Sequence, residues 1–163
     1  MLVVVTEVDV RVLGPLEISS GGQLLPLGTP KQRTVLALLL ARNGQYVSVD
    51  ELVDEVWSAE PPVSAGANVR MYAANLRRLF DAHAAERLVL VRRGAGYVLR
   101  LVDAGLDASR FVALVRQGRA DAAQGAPESA VQRFAEAGRL WRGHALETPW
   151  SSRRRSMEGE QRG

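Results

Sequence analysis

The chain has 163 residues, a formal net charge of +3, 47% hydrophobic and 24% charged residues, and no cysteine. This length holds one ordinary domain, or a small domain with part of a second, and the mixture is that of a globular protein able to bury a core. A disulfide framework and a thiolate metal site are excluded, the two histidines are far apart in sequence, and no stretch approaches the ~20 apolar residues a membrane-spanning helix needs.

Residues 1–5 are apolar but too few for a signal-peptide core, and Glu7 and Asp9 follow at once, so the expected location is the cytoplasm. From residue 8 the chain predicts short strands divided by turns. Val8, Val10 and Val12 alternate with Asp9, Arg11 and Leu13 before Gly14-Pro15 breaks the run. Leu16-Glu17-Ile18 forms a second strand, Ser19-Ser20-Gly21-Gly22 a turn, and residues 23–27 a third strand. The expected product is a small N-terminal antiparallel sheet.

Two helices with clear start signals come next. Thr29 is a candidate N-cap, Pro30 suits the first helical position, and Gln32 stands where a capping box wants an acceptor, ahead of the apolar run from Val35 to Ala41 and a stop at Asn43-Gly44. Ser48-Val49-Asp50-Glu51 repeats the box with Ser and Glu. Val49, Leu52, Val53, Val56 and Trp57 then recur at steps of three and four, leaving Asp50, Asp54 and Glu55 outward and Trp57 in the core.

Pro61-Pro62 ends that helix, and a third is predicted from a Ser64 cap to about Ala82. Val69, Ala73, Leu76 and Phe80 form its core stripe. Met71, Ala74, Asn75 and Arg78 point away from it, with Arg70 and Arg77 flanking one side and Asn68, Tyr72 and Leu79 the other. Arginine, asparagine and small residues on one face suit a major groove, where arginine pairs with guanine edges and asparagine with adenine edges. Residues 88–93 and 97–101 read as strands joined by Gly94-Ala95-Gly96, with Arg92 and Arg93 at the tip and Tyr97 packed against the third helix. The glycine pair joins strands and does not open a helix, which argues against a phosphate cradle.

Charge follows this division. Residues 66–100 carry Arg70, Arg77, Arg78, Arg87, Arg92, Arg93 and Arg100 against Asp81 and Glu86, a net of +5, whereas residues 1–65 carry a net of −4. A concentrated basic field is what duplex DNA answers to, through release of its condensed counterions. After Asp103 the texture becomes alanine-rich helix. Asp107 is a candidate cap for a helix carrying Phe111, Leu114, Val115, Gly118 and Ala122. Gly125-Ala126-Pro127 breaks it, and a second helix carries Ala130, Val131, Phe134, Ala137, Leu140 and Trp141. Such pairs build helical-repeat arrays. From Thr148 the chain turns polar and basic, through Ser151-Ser152-Arg153-Arg154-Arg155, and is expected to be disordered.

Three strands, three helices and a C-terminal hairpin, with the third helix basic on its outer face, form the pattern of an OmpR-type winged helix. Seven segments resemble, in order, the SARP family of actinobacterial transcriptional activators: Val12-Leu13-Gly14-Pro15-Leu16, Thr29-Pro30-Lys31-Gln32-Arg33, Leu38-Leu39-Leu40, Val47-Ser48-Val49-Asp50-Glu51-Leu52, Glu55-Val56-Trp57, Asn75-Leu76-Arg77-Arg78-Leu79 and Gly94-Ala95-Gly96-Tyr97. Ala108-Ser109-Arg110-Phe111 and Ala137-Gly138-Arg139-Leu140-Trp141-Arg142-Gly143 resemble the start of that family's bacterial transcriptional activation domain.

The resemblance implies an α+β winged helix-turn-helix, with an N-terminal antiparallel sheet, three helices and a C-terminal β-hairpin wing, followed by an all-α TPR-like helix pair. The expected division is an extension over residues 1–7, a DNA-binding domain over 8–102 of the effector type found in two-component systems, a partial activation domain over 103–147, and a basic tail over 148–163. The family's array is longer than the match, which stops near Leu146, so a shortened activation domain is expected. Gly66 is a weak helix former in the first turn of the recognition helix.

On this reading the chain is a sequence-specific DNA-binding regulator, an activator of secondary-metabolite (antibiotic) biosynthetic genes acting from tandem direct repeats. Asn68, Met71, Asn75 and Arg78 lie nearest base edges, and Arg70, Tyr72 and Arg77 tend toward phosphates. Arg92 and Arg93 meet the adjacent minor groove or backbone, and Thr29, Lys31 and Arg33 add a phosphate contact from a helix N-terminus. Expected partners are double-stranded DNA, RNA polymerase facing the loop at Ala59-Glu60-Pro61-Pro62, and a second copy arranged head to tail; the protein is expected at the nucleoid, with no cofactor. The alternative is a protein-interaction module, or a truncated regulator that binds DNA or a partner without activating. An enzyme is not expected, because no cysteine nucleophile, acid–base histidine group or Walker-type loop is present, and Ser48, Asp50 and Glu51 are accounted for as helix caps.

Overall fold

The computed structural model describes residues 7–102 and 104–146, so the tail assigned to 148–163 and nearly all of the extension over 1–7 lie outside the described residues. The chain opens with β1 (Val8–Arg11), β2 (Glu17–Ser20) and the two-residue β3 (Gln23–Leu24). β1 pairs antiparallel with β2, placing Val10 opposite Ile18, and β2 pairs antiparallel with β3. Alternation along β1 turns Val8 and Val10 inward and Asp9 and Arg11 outward, as a half-buried strand requires. The third strand is shorter than residues 23–27: Leu25 still donates to the Ile18 carbonyl at 2.8 Å, but Pro26 has no N–H to continue the ladder.

Three helices follow, α1 (Pro30–Ala41), α2 (Val49–Val56) and α3 (Ala65–His83), with a short strand β4 (Tyr46–Ser48) between the first two. Thr29 caps α1 by accepting from the Gln32 amide at 3.3 Å, with Pro30 in the first turn. Gln32 does not complete the expected capping box, because its side chain is turned into the core. The second box is complete: Ser48 Oγ accepts from the Glu51 amide at 3.1 Å, and the Glu51 carboxylate accepts from the Ser48 amide at 3.0 Å. Ser64 precedes α3 without capping it, since its backbone is not extended; its hydroxyl meets the Asn68 amide instead, at 3.4 Å.

A hairpin then returns along the helices. β5 (Leu88–Arg93) and β6 (Gly96–Leu101) pair antiparallel, with Leu90 opposite Leu99, and β4 joins the other edge of β6. The core fills the space between the two sheets and the three helices, from Ile18, Leu36, Leu39 and Leu52 to Leu76, Phe80, Tyr97 and Leu99. At the C-terminal end of α3 the Ser20 hydroxyl donates to the His83 carbonyl, which ties the helix to the first sheet.

Beyond the hairpin lies β7 (Gly105–Leu106), which pairs parallel with β1 and makes the N-terminal sheet mixed, with strand order β3-β2-β1-β7. It leads into α4 (Asp107–Ala123), which packs antiparallel in sequence order on α5 (Pro127–Arg139). Leu114, Gly118, Ala130 and Ala137 are buried in the pair, Gly118 lies against the Phe134 ring, and the Phe111 ring stands edge-on to Trp141 with centroids 5.8 Å apart. Of the apolar residues that the second helix carries, Val131 is exposed. Asp107 does not cap α4 as expected; it is the first helical residue, and its carboxylate reaches back to β1. After α5 the chain returns to the same place: the Arg142 amide donates to the Leu13 carbonyl at 2.8 Å, and its guanidinium reaches the Pro15 carbonyl at 2.9 Å and Glu17 at 3.3 Å. The helix pair is therefore hydrogen-bonded to the winged helix. Among the described residues no helix is long and apolar enough to cross a membrane.

Candidate nucleic-acid interface

α3 is anchored by a stripe wider than the expected one. Val69, Ala73, Leu76 and Phe80 are buried, and so is Tyr72, which is only 9% exposed and belongs to the core. Position 72 lies three residues after Val69 and four before Leu76, so its ring falls on the same helical face. The phosphate contact expected of Tyr72 is thus replaced by packing.

The opposite face presents Arg70, Met71, Ala74 and Arg78 to solvent, with Met71 50% exposed, and Asn68 and Asn75 half-buried at its edges. Asn75 and Arg78 are joined: the Arg78 guanidinium donates to Asn75 Oδ1 at 2.5 Å. Arg77 departs from expectation. Its Nε donates to the Leu90 carbonyl at 3.1 Å, so the side chain bridges α3 to β5 and is not a free cation aimed at a phosphate.

Arg92 and Arg93 are both exposed at the end of β5, and Arg92 Nε lies 3.4 Å from the Gly94 carbonyl. The hairpin lies against β4 because position 96 is glycine; a Cβ there would collide with the Val47 carbonyl oxygen and the Tyr46 ring. Arg100, also exposed, adds a cation on β6 that the candidate set omitted, although its place in the basic segment was visible.

The three residues expected at the start of α1 divide differently. Thr29 is exposed and occupied as the cap. Lys31 places its ammonium over the Trp57 ring, 4.6 Å from the centroid, a cation–π contact that holds α1 to the end of α2. Arg33 is turned inward and donates to the Leu16 carbonyl at 2.7 Å, so it joins α1 to the first sheet and offers no phosphate contact. Thr29 and Lys31 stay near the surface.

Asp50, Asp54 and Glu55 lie exposed along α2. The Ser48 backbone amide and hydroxyl beside Glu51 hold its carboxyl below the usual glutamate range, with Arg42 adding a smaller pull in the same direction. α2 packs on α3, and its Val49 amide donates to the Ala95 carbonyl in the hairpin turn at 2.8 Å, so acidic α2 starts beside the basic hairpin. Two residues with structural consequence escaped the site prediction, Gln32 and Asp107. Gln32 carried only a local capping signal, and Asp107 carried none for its partners.

A winged helix with an exposed third helix and a basic hairpin, continued by an antiparallel helix pair, is the architecture of a transcriptional regulator. Residues 23–99 match the family model described as transcriptional regulatory protein, C terminal, and residues 106–162 match the bacterial transcriptional activator domain. The chain belongs to the SARP family of transcriptional regulators. It is 43% identical over 141 residues to the transcriptional regulatory protein MoaR1 of Mycobacterium tuberculosis, covering 85% of this chain and 45% of that protein. It is 34% identical over 142 residues to the transcriptional regulator RedD of Streptomyces coelicolor, covering 85% and 40%. The solved structure of Mycobacterium tuberculosis EmbR in complex with a low-affinity phosphopeptide superimposes with a TM-score of 0.79 at 39% identity, over 86% of this chain and 38% of that one. The chain thus spans less than half the length of these relatives.

Proposed function

We propose that this chain is a sequence-specific DNA-binding regulator that lays α3 in the major groove and sets the β5–β6 hairpin against the adjacent minor groove or backbone. The observation that carries this reading is the outer face of α3, where Arg70, Met71, Ala74 and Arg78 stand clear of the core, with half-buried Asn75 at its edge, beside exposed Arg92 and Arg93. Arg78, its guanidinium held by Asn75, reads a base edge; Asn68 and Met71 flank it, and Arg70, Arg92 and Arg93 neutralise phosphates. The biological role is activation of secondary-metabolite genes from tandem direct repeats in the cytoplasm, with two copies head to tail and RNA polymerase meeting the loop after α2; it is a regulator, not an enzyme. Selection of bound duplexes from a random pool tests this. Recovery of a motif in two same-orientation repeats supports it, and no enrichment over input sinks it.

A second reading, in which the helix pair docks a protein partner, is favoured by one feature. Phe134 and Trp141 are 42% and 45% exposed on the helix pair, alongside exposed Val112 and Val131. Salt separates the two readings: binding through several phosphates weakens steeply from low to moderate salt, whereas an apolar protein contact holds nearly constant.

A further inference from the structure

We infer that Gln32, from inside the core, is a positioning residue for sequence readout: it sets the side-chain amide of Asn75 and, through it, the guanidinium of Arg78. The inference rests on the DNA-binding reading above.

Gln32 is 6% exposed and, the hydroxyls of Tyr72 and Tyr97 aside, the one polar side chain among the buried described residues. Its Nε2 donates to the Leu27 carbonyl at 3.0 Å, and its Oε1 accepts from Asn75 Nδ2 at 3.1 Å, across 43 residues of chain. Asn75 Oδ1 in turn accepts from Arg78 at 2.5 Å. The polarity of this relay is fixed at both ends, because a backbone carbonyl can only accept and a guanidinium can only donate. Neither amide can flip without breaking a bond.

The site is also shaped for the glutamine. Gly28 has φ +87°, and a Cβ there would strike the Gln32 amide group. An apolar residue at position 32 would fill the same space with no polar partners to satisfy, yet an amide is present with a partner on each side. What it gains is a fixed reader: Arg78 is exposed and long, and a guanidinium already held in one direction loses less freedom on meeting a base edge.

The test uses the whole chain, with the selected duplex and a scrambled duplex of equal length at one salt concentration. Gln32→Met keeps length and apolar bulk and removes both hydrogen bonds. It is expected to lower the selected-to-scrambled affinity ratio about tenfold while scrambled binding changes less than about twofold. In an Arg78→Ala background the same substitution should change the ratio no further. Gln32→Glu keeps the oxygen that Asn75 donates to and, once protonated, has a hydroxyl for the Leu27 carbonyl, so measured at about pH 5, where a buried carboxyl is protonated, it should recover selectivity to within about threefold of the parent. Equal loss with Met and Glu, or an undiminished effect without Arg78, overturns the proposal.

A readout without DNA accompanies these. The Asn75 side-chain amide protons should exchange slowly in the parent and rapidly in Gln32→Met, and unchanged exchange overturns the relay. A parent chain that prefers no duplex sinks the DNA-binding reading, whereas a selective parent with an equally selective Gln32→Met variant overturns this inference alone.

Discussion

Asp107 Oδ2 accepts a hydrogen bond from the backbone amide of Leu13 at 3.0 Å, across 94 residues, while Oδ1 takes the neighbouring Val12 amide at 2.9 Å. One carboxylate at the start of α4 thus satisfies two consecutive donors at the end of β1, and the Leu13 carbonyl takes the Arg142 amide in return. The winged helix and the helix pair meet through backbone groups that the first sheet leaves unpaired.

Removing that carboxylate should loosen the junction first. Asp107→Ala is expected to cost about 1–3 kcal/mol, because it strands two amides in a part-buried place and forfeits charge-assisted bonds. Hydrogen exchange at Val12 and Leu13 is the direct measurement. Exchange as slow as in the parent would show that other groups hold the junction.

Arg77 and Arg93 should separate cleanly despite their common charge. Arg77→Ala removes the bridge from α3 to the Leu90 carbonyl and should lower stability by about 0.5–1.5 kcal/mol with little change in the salt dependence of DNA binding. Arg93→Ala should leave stability within about 0.5 kcal/mol, weaken all duplexes alike and reduce the salt slope by about 1. Urea unfolding paired with binding across a salt series measures both, and a reversed pattern refutes the assignment.

Gly96→Ala should separate β4 from β6. The added methyl meets the Val47 carbonyl oxygen, which is backbone and cannot rotate away, so a loss of about 1–3 kcal/mol is expected. Thermal unfolding gives the magnitude, and chemical shifts of Tyr46 and Val47 locate it. A variant as stable as the parent contradicts the packing described.

The Ser48–Glu51 box gives the protein a dependence on acid. The Glu51 carboxyl is held below its usual value of 4.5, first by the Ser48 backbone amide, then by the Ser48 hydroxyl, then by Arg42. A depressed carboxyl contributes stability that is present above the unfolded value and is lost as pH falls through the lower folded value. Glu51→Gln should therefore be less stable than the parent at neutral pH, with the gap closing as pH drops below 4.5. Unfolding midpoints of both proteins from pH 7 down to about pH 3 give the comparison, and a constant gap would show that the charge is not the source.

Local chemistry made much of the domain legible. The Ser48–Glu51 spacing announces a capping box because both partners sit within one turn, and the residues from Val69 to Phe80 mark the buried side of α3 because helical periodicity is local. Tyr72 escaped because the expected stripe was too narrow and left it at the flank, while its ring behaves as a core residue. Arg77 and Arg33 escaped for another reason: charge shows that a residue can meet a phosphate, but not that a backbone carbonyl has already claimed it. β7, two residues long, has no periodicity at all and exists only because β1 offers it an edge.

By itself the sequence determined the order of the five helices, the first three strands and the hairpin, most of the inner face of α3 and the segregation of positive charge, since each depends on residues within a few positions of one another. Tertiary structure decided which polar groups remain available. Gln32 meets Asn75, Asp107 meets Val12 and Leu13, and Arg142 meets Pro15 and Glu17 across long stretches of chain, and only folding brings such partners within hydrogen-bonding distance.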